Sequence, residues 1–159
     1  MIHLTEIDET NYAEALRLSP ADSQKRFLAD AAGILARGYA YRRCNGRVFG
    51  IANGDQLVGL ALVRDLDEEP ACYDLQQFFI DRRFQNRSYG SQALRLILAL
   101  LHEEGRYADV EVCVDQANAA ALRLFESHGF TDTGYVDPDL PESRNLMHHF
   151  SSAFTQENL

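Results

Sequence analysis

Long apolar runs are missing from this 159-residue chain, and no stretch approaches the roughly 20 residues that a bilayer-spanning helix requires. Met1-Ile2-His3-Leu4-Thr5-Glu6 has neither the basic nor the apolar region of a secretory leader. The expected location is the cytoplasm, with no membrane partner. Cysteine is scarce: Cys44, Cys72 and Cys113 lie far apart, in neither a Cys-x-x-Cys pair nor a His/Cys ligand spacing. They read as reduced thiols, and no metal is expected. His148-His149 is the one histidine pair, and adjacent residues on a strand face opposite ways. Basic charge is also short, with 15 Lys and Arg against 24 Asp and Glu and a formal charge of −9. Phosphate recognition favours a basic face, so no nucleic-acid partner is expected. A cationic small molecule is admitted, although acidic surfaces also serve solubility alone. Repeats, low-complexity segments and linkers are absent too. One domain spanning residues 1–159 is expected, long enough to enclose a sizeable core.

What is present is an alternation of strand-like and helix-like stretches. Ile2 to Ile7 reads as a strand, and Thr10 or Asn11 can cap a short helix reaching Leu18, before Pro20. A second helical segment is expected from Ala21 to about Tyr39, with Phe27, Ala31, Ile34 and Leu35 on one face. Arg47–Ala52 and Gln56–Arg64 flank Asn53-Gly54-Asp55, which predicts an antiparallel hairpin with a type I′ turn. A strand over Tyr73–Asp81, a helix from Ser88 to Glu104 stopped by Gly105, and a strand over Val110–Val114 follow. Strand, helix, strand in succession implies a parallel pair and a crossover. A helix from Asn118 to Gly129 precedes a terminal hairpin of Phe130–Val136 and Asn145–Phe150 around the acidic Asp137–Glu142 loop. The polar tail from Ser151 is expected to fray.

Function is concentrated where the Tyr73–Asp81 strand feeds the next helix through Gln85-Asn86-Arg87-Ser88-Tyr89-Gly90-Ser91. Leu94, Ile97, Leu98 and Leu101 follow at helical spacing, so this loop ends at a helix start. Unpartnered N–H groups and the positive end of the macrodipole suit an anion there, and small residues allow close approach. Taken alone, such a stretch is more often just a turn than a ligand site. It is neither a Gly-Lys-Ser/Thr phosphate loop nor Gly-x-Gly-x-x-Gly.

A second pattern, Asn118-Ala119-Ala120-Ala121 through Phe125 to Gly129-Phe130, follows the next strand. With both in hand, the chain resembles the GCN5-related N-acetyltransferase (GNAT) superfamily over nearly its whole length. The family's acetyl-CoA loop reads Gln/Arg-x-x-Gly-x-Gly/Ala; Gln85, Ser88 and Gly90 stand at its defining positions, with Ser88 in place of the first glycine. The second motif, Asn-x-x-Ala-x-x-x-Tyr-x-x-x-Gly-Phe, is met by Asn118, Ala121, Gly129 and Phe130, with Phe125 in place of tyrosine.

The resemblance implies an α/β (α+β) fold with a mixed, mostly antiparallel twisted sheet of roughly six or seven strands. Helices would cover both faces, and a splay between the fourth and fifth strands would admit the coenzyme. It implies acetyl-CoA as co-substrate and a small-molecule primary amine as acceptor. The implied binding set is the backbone of Phe79 and Ile80, the loop residues Gln85, Asn86, Arg87, Ser88, Tyr89, Gly90 and Ser91, and Asn118 and Phe125. Arg87 reads equally as a solvated arginine, and Asn118 as a helix cap. Phe125 has no proton to give a leaving thiolate, which leaves water, or Tyr89 or Tyr135, as donor. Asp74 is the candidate base, with strand alternation placing it on the face of Gln76 and Phe78. Similarity to bacterial diamine and spermidine acetyltransferase-like members, in Phe78–Asp81 and Tyr89–Leu94, implies a polyamine. An aminoglycoside, a protein N-terminus, or a non-catalytic acyl-CoA-binding or sensing role are the alternatives. Dimers are frequent among relatives, so a homodimer is admitted.

Overall fold

The computed structural model describes residues 1–151. The tail expected to fray lies, past Ser151, outside the described residues. Seven strands form one sheet: β1 (Ile2–Glu6), β2 (Arg47–Asn53), β3 (Gln56–Leu66), β4 (Cys72–Ile80), β5 (Asp109–Asp115), β6 (Thr131–Asp132) and β7 (Ser143–His149), in the spatial order β1-β2-β3-β4-β5-β7-β6. Every neighbouring pair is antiparallel except β4 and β5. Their parallel pairing follows from the crossover made by the helix between them, α3 (Tyr89–Glu104).

The apolar stripe read from the sequence is the packed face of α3. Leu94, Ile97 and Leu101 are fully buried against Ala61, Val63, Leu75, Val110 and Val112. Burying each such side chain is worth about 1.5–3 kcal/mol, far more than helix propensity supplies. Gly105 ends the helix at φ +67°, the left-handed cap expected of it. Helix α4 (Ala119–Ser127) covers the same sheet face through Phe125, while α1 (Tyr12–Ala15) and α2 (Ala31–Ala40) cover the other through Ala15, Ala31 and Ile34.

Four local expectations need correction. The segment 21–39 is not one helix: a 3₁₀ turn, Asp22–Phe27, precedes an extended Leu28, and Asp30 caps α2 by accepting from Gly33 N at 2.7 Å. The break is held by the Ala29 N–H, which donates to Gln77 Oε1 at 3.0 Å instead of to a helical carbonyl. The first helix is a single turn, because Asn11 spends its side chain on Asp8 N and Glu6 O rather than on a cap. The hairpin is present, but Asn53 pairs with Gln56, so its two-residue loop is Gly54-Asp55. Positive φ occurs at Gly54 and not at Asp55, the pattern of a II′ rather than a I′ turn. The terminal hairpin exists with β6 cut to two residues, because Gly134 at φ +79° turns the chain away.

The β3–β4 register carries a further difference that matters for the site. Leu62 pairs with Gln77 and Val63 with Leu75, which leaves Gln76 as an extra residue. Such a bulge inverts the alternation beyond it. Phe78 therefore meets Phe125 of α4, while Gln76 donates to Tyr41 Oη and Asp74 pairs with Arg64 on the opposite face. The expected grouping of Asp74 with Phe78 fails for this reason.

Candidate active site

The β4–β5 ladder is short. It registers only Tyr73 with Val110 and Asp74 with Glu111, after which the strands part. From Gln76 to Ile80 that edge of β4 faces no partner strand. The backbone groups turned toward the gap, other than Ile80 O, which a side chain occupies, are therefore free to meet a ligand. On the α3/α4 face the opening leads into a cleft of about 350 Å³. Phe79, Ile80, Gln85, Asn86, Ser88, Tyr89, Gly90, Ser91, Asn118 and Phe125 all line it, so residues far apart in sequence meet on one surface. Arg87 is exposed and is not among the lining residues. Gln24 and Leu28 also line the cleft, from the break before α2. Sequence reasoning missed them by extending a helix through that break.

Within the loop, Asn86 stands at φ +61° and Ser88 at φ +59°, both left-handed. Asparagine tolerates this region; serine there is held against a cost of roughly 1–2 kcal/mol. Its hydroxyl donates to Arg87 O at 2.6 Å. Ser88 thus holds a conformation that a glycine would adopt at little steric cost. Ser88→Gly is expected to raise stability by about 0.5–1 kcal/mol, the relieved strain being partly offset by unfolded-chain entropy. Denaturant midpoints at unchanged slope would show it, and a lowered midpoint would contradict the strain. Gln85 braces the loop by donating through Nε2 to Ile80 O at 2.9 Å and Gln24 Oε1 at 2.8 Å. Asn118 caps α4 by accepting from Ala121 N at 3.3 Å.

Buried Asp81 anchors the start of the loop, accepting from Ser19 N at 2.9 Å and from Arg83 N and Nε at 2.9 and 2.8 Å. Burial pushes its carboxyl up, but those bonds outweigh it and hold the group below the usual aspartate range. The linked stability is present above the unfolded-state pKa and is lost as pH falls through the lowered native value. The difference in melting temperature between wild type and Asp81→Asn is therefore expected to shrink on acidification. A pH-independent gap would contradict the assignment.

The opposite face of the same opening carries a second pocket, of about 270 Å³, whose lining includes Arg64, Glu68, Asp74, Glu111, Tyr135 and Asp137. Four carboxylates thus face one guanidinium. Asp74 is buried, with Oδ2 3.0 Å from Arg64 Nε. Burial pushes its carboxyl above the usual range despite that pairing. Glu111 is also pushed up, by burial and then by the neighbouring Asp74 charge. The two candidate tyrosines are separated. Tyr135 borders the acidic pocket and is well exposed, whereas Tyr89 lies in the cleft with its hydroxyl accepting from Asn53 Nδ2 at 3.1 Å. Phe125 is buried edge-on to Phe78 and Phe130, with ring centroids 6.2 and 5.2 Å away. Glu111 had no place among the candidates, although Val110-Glu111-Val112-Cys113-Val114 alternates and already sets it opposite the core valines.

The sheet is thus open beyond its single parallel pair, with a helix-start loop on one side of the gap and an acidic pocket on the other. A model of the acetyltransferase (GNAT) family matches residues 6–130, and the chain belongs to that family. It is an acetyl-CoA-dependent N-acetyltransferase. The spermine/spermidine N(1)-acetyltransferase of Bacillus subtilis is 25% identical over 139 residues, covering 86% of this chain and 91% of that protein. Among solved structures, the ribosomal-protein-S18-alanine N-acetyltransferase of Escherichia coli matches at a TM-score of 0.71 with 17% identity, over 100% of both chains. The PaiA N-acetyltransferase of Thermoplasma acidophilum, in complex with coenzyme A, matches at 0.70 with 9% identity, over 94% of this chain and 99% of that one. Such distant structural likenesses show the fold. No helix among the described residues is long and apolar enough to cross a membrane.

Proposed function

We propose that the acceptor is a polyamine, and that the enzyme acetylates one of its primary amines. The observation that carries this reading is the acidic pocket, whose four carboxylates outnumber its one arginine. A flexible chain bearing several ammonium groups can satisfy such a surplus, whereas a single amine leaves most of it unpaired. The similarity to the Bacillus polyamine enzyme supports the same class.

The donor fits the other side. Backbone N–H groups of residues 86–91 and the start of α3 would hold the pyrophosphate, with Gly90 leaving room for it. The open edge of β4 around Phe79 and Ile80 would take the pantetheine arm as an added strand, beside Asn118. The coenzyme supplies an activated acetyl thioester. One N–H at Phe79 or Ile80 would donate to the thioester oxygen as charge develops there.

Thiol release from acetyl-CoA with spermidine, spermine, an aminoglycoside and an N-terminal peptide tests the acceptor. Higher kcat/KM for spermidine or spermine than for the other two is expected. Preference for the peptide or the aminoglycoside would overturn the polyamine assignment.

Loss of the family tyrosine leaves thiolate protonation to water, or to Tyr89 or Tyr135, in this reading. A thiol pKa near about 8.5 makes the thiolate a tolerable leaving group without a dedicated acid. Phe125→Tyr is therefore expected to leave turnover unchanged or higher, with little effect on coenzyme affinity. A large loss of kcat with coenzyme binding intact would show that the bare ring is required as an apolar wall.

A further inference from the structure

We infer that Glu111, on β5, is the residue that accepts the proton of the acceptor's ammonium group, and that Asp74 acts through Arg64 as a positioning residue. This rests on the assignment of the acidic pocket to the acceptor. Asp74 and Glu111 form the last registered pair of the parallel ladder, so both stand where the sheet opens and where amine and thioester must meet. Their side chains differ in what they already hold. Asp74 is tied to Arg64, whose guanidinium also lies 4.2 Å from the centroid of the Tyr41 ring. That contact holds β3, β4 and the end of α2 together and commits the aspartate charge. Glu111 has no cationic partner among the described residues and remains half-buried at the pocket wall. Only neutral side chains donate to it: Asn145, and the Cys72 thiol with Sγ 3.7 Å from Oε2.

The groups around Glu111 favour this task. From β4 it faces Asp74 and Cys72; from β3 and the loop leaving it, Arg64 and Glu68; from the loop before β7, Tyr135 and Asp137. Cys72 is pushed up to about 12 by burial and by the Glu111 charge, so it stays a thiol and can only donate. The surrounding carboxylates keep Glu111 a stronger base than a solvated glutamate, through burial first and Asp74 second.

The step balances simply. The ammonium N–H bond breaks and its proton goes to a Glu111 carboxylate oxygen, giving a neutral amine and a carboxylic acid. The amine lone pair forms the new C–N bond as the C–S bond breaks and its electron pair leaves on sulfur. The second nitrogen proton passes, directly or through water, to the thiolate, and Glu111 returns its proton to solvent. One ammonium and one acetyl thioester thus become one amide, one thiol and one released proton.

The test is the pH profile of thiol release with spermidine, or with whichever ammonium acceptor the wild type prefers. Wild type should show an acid limb set above the ordinary glutamate range, then a plateau. Glu111→Gln keeps the side chain's size and should lower kcat about hundredfold near neutrality. Its activity should then climb steadily with pH as free amine accumulates, while coenzyme affinity and melting temperature stay unchanged. Asp74→Asn should keep the acid limb and lose thermal stability instead. Should Gln pack poorly, Glu111→Ala provides the second reading, with added formate expected to restore part of the rate. The assignment is overturned if Glu111→Gln keeps the wild-type rate and limb, if the limb vanishes in Asp74→Asn instead, or if both Glu111 variants lose coenzyme binding together with turnover. A wild type that ignores spermidine but uses another amine would sink the polyamine reading while leaving this test intact.

Discussion

Gly90→Glu is expected to lower coenzyme A affinity by more than tenfold, or about 1.4 kcal/mol, without unfolding the protein. A Cβ built at Gly90 would meet Ile80 Cγ1 and Leu124 Cδ2 at 3.7 Å and Phe78 Cε1 at 3.8 Å, all ordinary contacts. The unliganded fold therefore has room for a side chain. What it would lose is the surface along which phosphates must approach the start of α3, and a carboxylate there opposes them by charge as well. Gly90→Ala separates the two effects. It adds the Cβ alone and should stabilise the first turn by up to about 1 kcal/mol through helix propensity. Its coenzyme affinity should fall between those of wild type and Gly90→Glu. Calorimetric titration with coenzyme A beside a thermal melt reads both quantities. A folded Gly90→Glu protein with wild-type affinity would remove the pyrophosphate from this loop.

Gly59→Ala should have the largest effect on the fold itself. Gly59 pairs with Ile80 across β3 and β4, and a Cβ on it would lie 2.3 Å from the Phe79 carbonyl oxygen. That neighbour is backbone in the middle of a sheet and cannot rotate away, so a strand must shift. Overpacking of this kind costs about 3 kcal/mol, or roughly 6–12 °C in melting temperature for a chain of this size. The shifted strand is the one whose open edge is proposed to take the coenzyme. Survivors of the substitution should therefore also bind coenzyme more weakly. An unchanged melting temperature would mean that β3 and β4 can separate at this point at little cost.

Local chemistry alone determined a good part of this protein. The stripe of Leu94, Ile97 and Leu101, the Gly105 cap and the Asn118 cap each depend on residues within a turn or two, so their structure is written in short-range spacing. The course of the loop from β4 into α3 was legible for the same reason, since a strand end, small residues and a helix start are consecutive in sequence. Matching Gln85, Ser88 and Gly90 with Asn118, Gly129 and Phe130 then placed the chain in its family.

The acidic pocket was decided by tertiary structure, because its geometry depends on where one strand gains a residue relative to another. The extra Gln76 between two β3–β4 pairs turns Phe78 away from Asp74, and no alternation rule applied to β4 alone reveals it. The break at Leu28 exists because Ala29 finds Gln77, a residue 48 positions away, as its hydrogen-bond partner. Glu111 becomes distinctive only once Asp74 has been claimed by Arg64 and the ladder has ended beside both. Burial and pairing across strands fix which carboxylate is free, and those are properties of the assembled sheet.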